Sequence, residues 1–157
     1  MSTTLRDEIK QAKPFTSDKQ ELWLNLSRTT ALLSHDLEQK LRGYGLSGTQ
    51  YNVLRILRGA LPGGLCQYEI RDRLVAQVPD VPRILERMEK AGWIARTRGE
   101  ADRRMVVASV TVDGLKLAAE LDAPMEDWME GQFGALDHGE LGRLNELLVE
   151  ARRVGGK

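Results

Sequence analysis

The stretch PDVPRILERMEKAGWIARTRGEADRRMVVASVT, residues 79–111, changes its hydrophobic period partway along, and that change decides the fold. Its first part is helical. Pro79-Asp80-Val81-Pro82 marks a start, because proline is tolerated in a first helical turn and the Asp80 carboxylate can accept the free amides there. Val81, Ile84, Leu85, Met88 and Ala91 then recur at helical spacing as an inward face, leaving Arg83, Glu86, Arg87 and Lys90 largely outside. Beyond Gly92 the pattern becomes extended. Trp93-Ile94-Ala95 predicts one short strand, and Met105 to Thr111, rich in β-branched residues, predicts another. Between them Arg96 to Arg104 is polar and contains Gly99, as expected of a hairpin with a charged tip.

Upstream, a helix is expected from about Cys66, which stands where Ser or Thr would usually cap, with Glu69 three residues later and Ile70 and Leu74 inward. The turn Leu61-Pro62-Gly63-Gly64 separates it from a helix opened by Ser47 and Gln50, which carries Tyr51, Leu54, Ile56 and Leu57 and stops near Gly59. Before that, Ser17 and Gln20 open a long helix with Leu22, Leu26, Leu33, Leu37 and Leu41 mostly on one face, closed by Gly43 and Gly45. Downstream, Thr111 and Asp113 open a helix through Leu115, Leu117, Ala118 and Leu121. Pro124 is expected to kink or break it before Met125, Trp128, Met129 and Phe133. Asp137 and Glu140 cap a last helix with Leu141, Leu144, Leu148 and Ala151.

Three helices, the last two joined by a short turn, followed by a two-stranded hairpin, describe a winged helix-turn-helix. The expected fold is therefore mainly α with a small β-hairpin. A charged N-terminal extension (1–16) precedes a winged helix-turn-helix DNA-binding domain (46–111), flanked by a helical dimerisation region (17–45 and 112–154).

The charge map agrees with that division. Net charge is zero, but Arg83 to Arg104 holds seven basic residues against four acidic ones, while Asp113 to Glu150 holds ten acidic against two basic. A basic middle is expected to meet phosphates, and an acidic tail to meet protein or water. The single cysteine excludes a disulfide framework and a Cys-rich zinc site. No apolar signal core is readable in residues 1–15 and no stretch approaches a membrane span, so a cytoplasmic protein with no membrane partner is expected. A Gly-rich phosphate loop, a Ser or Cys nucleophile beside a placed His, and paired carboxylates do not stand out, so no enzymatic activity and no cofactor are expected.

These residues resemble the MarR-type transcriptional regulators over about Leu22 to Leu148. The resemblance is densest in LSGTQYNVL (46–54), RILERMEKAGWI (83–94), and DRR (102–104) leading to VTVDG (110–114). It implies a homodimer built on interleaved first and last helices, with two winged heads on one face that bind a pseudo-palindromic duplex operator and usually repress. It also implies that Arg104 probes the minor groove, that Asp102 holds it in place, and that Arg98 and Arg103 meet phosphates. Asp80, Val81, Pro82, Arg83 and Arg87 line the helix that enters the major groove, with Arg83 the foremost base or phosphate contact. A long cation in a narrow, electronegative groove reads its width rather than base identity. Two positions depart from the family pattern. Asp80 and Pro82 stand where hydroxyl residues are common, and Val75 replaces a common turn glycine, so the preceding helix is expected to run on towards Gln77.

The resemblance also leaves room for a small aromatic or lipophilic ligand, for which Trp23, His35, Tyr44 and Tyr51 are candidates beside their plainer reading as core or surface residues. His35 and His138 lack neighbours at metal-ligand spacing, so no metal site is expected. Cys66 reads as a passive substitute for a hydroxyl cap, with a thiol redox switch as the sharper alternative. Met125, Trp128, Met129, Phe133, Leu141, Leu144 and Leu148 form apolar stripes that suit a dimer interface, or packing between the two terminal helices. Besides a regulator released by a ligand, the sequence is compatible with a winged-helix protein-interaction module that does not bind DNA.

Overall fold

The computed structural model describes residues 3–100, 102 and 104–155. It divides into two compact units, one up to Leu115 and one from Lys116. Among the described residues the first unit holds helices α1 (Leu5–Glu8), α2 (Asp18–Arg42), α3 (Gly48–Gly59), α4 (Gln67–Arg73) and α5 (Val81–Lys90), with strands β1 (Leu65–Cys66), β2 (Ile94–Arg98) and β3 (Val106–Val110). Helix α6 (Val112–Phe133) starts at its end, and α7 (His138–Gly155) belongs to the second unit.

The caps read from sequence account for most helix starts. Ser17 Oγ accepts the Gln20 N–H at 3.2 Å, and Ser47 with Gln50 forms a reciprocal box, at 3.1 Å from the Gln50 amide and 2.9 Å from the Ser47 amide. Asp80 Oδ1 accepts the Arg83 N–H at 3.1 Å and so caps α5. Before α4 the Glu69 carboxylate accepts the Cys66 N–H at 2.8 Å.

The core of the first unit is aliphatic: Leu41, Val53, Leu54, Leu57, Ile70, Met88 and Ile94 are almost wholly buried. Val81, Leu85 and Met88 anchor α5 as expected and Ile84 is half-buried, whereas Ala91 is exposed because it is the cap residue beyond the last turn. There Gly92 adopts φ +80°, and the Trp93 N–H reaches back to the Met88 carbonyl at 3.1 Å, closing the helix by a left-handed turn that glycine permits.

The sheet has three strands in the order β1-β3-β2, all antiparallel. β1 was not expected. It is two residues long, Leu65 and Cys66 pairing with Ala108 and Val107, too short to carry an alternation. β2 also runs further than expected, to Arg98 opposite Val106, so Arg96 and Arg98 are strand residues and the tip begins only beyond Arg98.

Helix α4 stops at Arg73 rather than running on towards Gln77: Leu74 is extended, and the Asn52 side-chain carbonyl takes the Val75 N–H at 2.9 Å. Val75 itself is 90% exposed, so the turn is fixed through its backbone. The short helix α1 in the N-terminal extension was likewise not expected; Thr4 and Asp7 cap it, and Glu8 pairs with Arg28 of α2 at 2.6 Å.

α6 is one unbroken helix of 22 residues with Pro124 inside it, so the expected break is absent. Glu120, whose carbonyl loses its donor to the proline, is exposed, and Leu121 and Met125 on either side are buried. Water can satisfy the one and burial holds the other two in register. No described helix is long and apolar enough to cross a membrane.

Candidate nucleic-acid interface

The first unit presents two basic elements. Arg83 and Arg87 are exposed on α5, and Arg98 and Arg104 are exposed on the wing; among the described residues none of the four forms an ion pair. Pro82 and Asp80 are exposed at the start of α5, while Val81 is buried and serves the core. Arg103 lies outside the described residues.

Two carboxylates of α5 are already engaged. Glu86 pairs with Lys90 one turn on at 2.8 Å, and the hydrogen bond from Lys90 holds the Glu86 carboxyl below the usual carboxylate range. Glu89 receives Nε and Nη2 of Arg96 at 2.8 and 2.6 Å, together with the Arg96 backbone N–H at 3.2 Å. Those hydrogen bonds hold the Glu89 carboxyl low as well. Glu86 and Glu89 are thus paired with Lys90 and Arg96, and no described carboxylate forms an ion pair with Arg83, Arg87, Arg98 or Arg104.

The tip is organised by Asp102, whose Oδ1 accepts the Arg104 N–H at 2.9 Å. Its grip is on the Arg104 backbone rather than on the guanidinium, a local side-chain turn that shapes the loop. The Met105 N–H bonds to the Asp102 carbonyl at 3.0 Å and the Gly99 N–H to the Met105 carbonyl at 2.8 Å, closing the hairpin. At its base, the Thr111 hydroxyl donates to the Gly92 carbonyl at 2.6 Å and accepts the Gly114 N–H at 3.1 Å. Gly114 sits against the Trp93 carbonyl so closely that a Cβ there would collide with it.

The remaining candidates fall apart in space. Trp23 and His35 are both exposed, and twelve residues of α2 hold them about 18 Å apart. Tyr44 and Tyr51 are half-buried, with Arg55 stacked 5.9 Å above the Tyr51 ring. An open groove of about 1050 Å³ lies elsewhere, between the N-terminal extension and the start of α2, lined by Arg6, Lys10, Phe15 and Glu21 among others. Cys66 is buried. In the second unit Met129 and Leu144 are exposed and Trp128, Phe133, Leu141 and Leu148 half-buried. Met125 is only 4% exposed, so it is already covered within the chain and could support an interface only from behind. Among the described residues no group of His, Cys, Asp and Glu could hold a metal ion.

Known proteins share this sequence pattern and fold. The sequence profile of the MarR family matches residues 44–105. The HTH-type transcriptional regulator PecS of Dickeya dadantii is 33% identical over 139 residues, 81% of each chain. A MarR transcription factor of Planctomyces limnophilus superposes with a TM-score of 0.68 at 37% identity, over 86% of this chain and 98% of that one. MepR of S. aureus, solved in complex with DNA, superposes with a TM-score of 0.76 over 88% of this chain and 99% of that one, at 19% identity. With its winged helix-turn-helix and a PecS relative matched over four fifths of both sequences, this chain belongs to the MarR family of transcriptional regulators.

Proposed function

We propose that the chain is a homodimeric, sequence-specific DNA-binding repressor that grips a pseudo-palindromic operator with α5 in the major groove and the wing in the minor groove. The observation that carries this reading is the set of exposed arginines free of ion pairs among the described residues, Arg83, Arg87, Arg98 and Arg104, on the two projecting elements of one unit, while Glu86 and Glu89 are engaged with Lys90 and Arg96. Unpaired cations gain most from phosphate, since each releases condensed counterions. MepR, which shares the fold, was solved bound to DNA, and this supports DNA binding as the role of the fold here.

The homodimer is supported by exposed apolar side chains: Leu22 and Trp23 on α2, and separately Met129, Leu144 and Leu147 on α6 and α7. Stripes of that kind favour burial against a partner. Repression and release by a small aromatic ligand are both inferred from the family resemblance.

Selection of bound duplexes from a genomic-fragment library tests the reading, with the mass of the free protein measured by light scattering. Inverted repeats with half-site centres about 10 base pairs apart, bound by a dimer, are expected. A monomer that enriches no duplex would instead favour a protein-interaction module.

A further inference from the structure

We propose that Glu89 and Arg96 form a positioning brace that sets the angle of the wing against α5; the proposal rests on the DNA-binding reading above. Glu89 lies in the last turn of α5 and Arg96 in the middle of β2. One carboxylate collects three donors from one residue: the backbone N–H at 3.2 Å and Nε and Nη2 at 2.8 and 2.6 Å. Both side chains are about one-third exposed, at 36% and 29%, so the pair is sheltered more than an ordinary surface ion pair.

Its place in the sheet gives it leverage. Arg96 pairs with Ala108, which on its other side pairs with Leu65, so the brace grips the central rung where all three strands meet. From there β2 and β3 stay in register out to Arg98 opposite Val106, immediately before the tip that carries Arg104. A ladder fixed at its middle rung carries its far end with it. On α5, roughly 100° of rotation per residue places Glu89 about 120° from Arg83 and about 160° from Arg87. The brace therefore holds the wing on the side of α5 away from both arginines, keeping the two basic elements apart at one separation.

The same geometry argues against a direct phosphate role for Arg96. The guanidinium edge formed by Nε and Nη2 faces Glu89, and meeting DNA with that edge would leave the Glu89 carboxylate unpaired beside phosphates. Lysine keeps the charge but has no planar fork, so it cannot replace the arginine in this role.

The test is a double-mutant cycle on the full chain, using the tightest duplex recovered from a random-sequence selection and one fixed salt concentration. Glu89→Gln and, independently, Arg96→Lys are each expected to weaken binding about tenfold. Either change combined with Arg104→Ala is expected to weaken it no more than about twofold beyond Arg104→Ala alone, because a misplaced wing has nothing further to lose. A merely stabilising pair would give losses that multiply instead. Multiplied losses, or a Glu89→Gln protein that binds as well as or better than wild type, would overturn the brace alone. A wild-type chain that binds no duplex would overturn the DNA-binding reading and the brace together; an Arg104→Ala chain that binds like wild type would overturn the wing's role in that binding, and the brace with it. Should Glu89→Gln fail to fold by circular dichroism, Arg96→Lys decides the matter.

Discussion

Asp102 Oδ1 and the backbone N–H of Arg104 lie 2.9 Å apart, so the carboxylate two residues upstream shapes the loop that presents the arginine. Because Asp102 is exposed, its loss touches no core residue. Asp102→Ala is expected to leave the melting temperature within about 1 °C of wild type while lowering duplex affinity about three- to tenfold, since ordering a freed loop on binding costs about 1 kcal/mol. Fluorescence anisotropy beside a melting curve checks both. Asp102→Asn, which keeps the acceptor, should recover most of the affinity.

The turn between α4 and α5 hangs on the Asn52 to Val75 hydrogen bond. Asn52→Ala removes the acceptor from a half-buried position and is expected to destabilise the fold by about 1 kcal/mol, as for other hydrogen bonds that organise a turn. Chemical denaturation measures this. Asn52→Asp, which retains an acceptor oxygen, should lose less.

Acid should remove what the Glu89–Arg96 pair contributes. Its folded pKa is depressed, chiefly by the hydrogen bond from Arg96, so the pair contributes stability above the ordinary glutamate pKa and loses it as pH falls through the lowered folded value. Melting curves of wild type and Glu89→Gln should differ most near neutral pH and converge in acid, below the ordinary range. A difference that stays constant into acid would show that the ionised pair contributes nothing.

Much of this architecture was legible because it is written in local chemistry. The Ser47–Gln50 box and the Asp80 cap on Arg83 are each decided by residues three apart, and both helix starts lie where the sequence placed them. The strand Leu65–Cys66 was not legible, since two residues have no period and exist as a strand only through Ala108 and Val107, more than forty positions away. The break allowed for at Pro124 does not occur, because burial of Leu121 and Met125 on either side holds the helix continuous. At the candidate interface the arginines were visible as charges, whereas the pairing of Arg96 with Glu89 was not, because it depends on how a strand docks on a helix. Nor did the sequence show that Asp102 would hold the Arg104 backbone rather than its guanidinium.

The central claim, DNA binding led by the wing, is tested most directly by the salt dependence of duplex affinity for wild type and for Arg103→Ala/Arg104→Ala. The double variant is expected to bind more weakly, with a logarithmic salt slope lower by about one to two units. Equal affinity and an equal slope in the two proteins would contradict it.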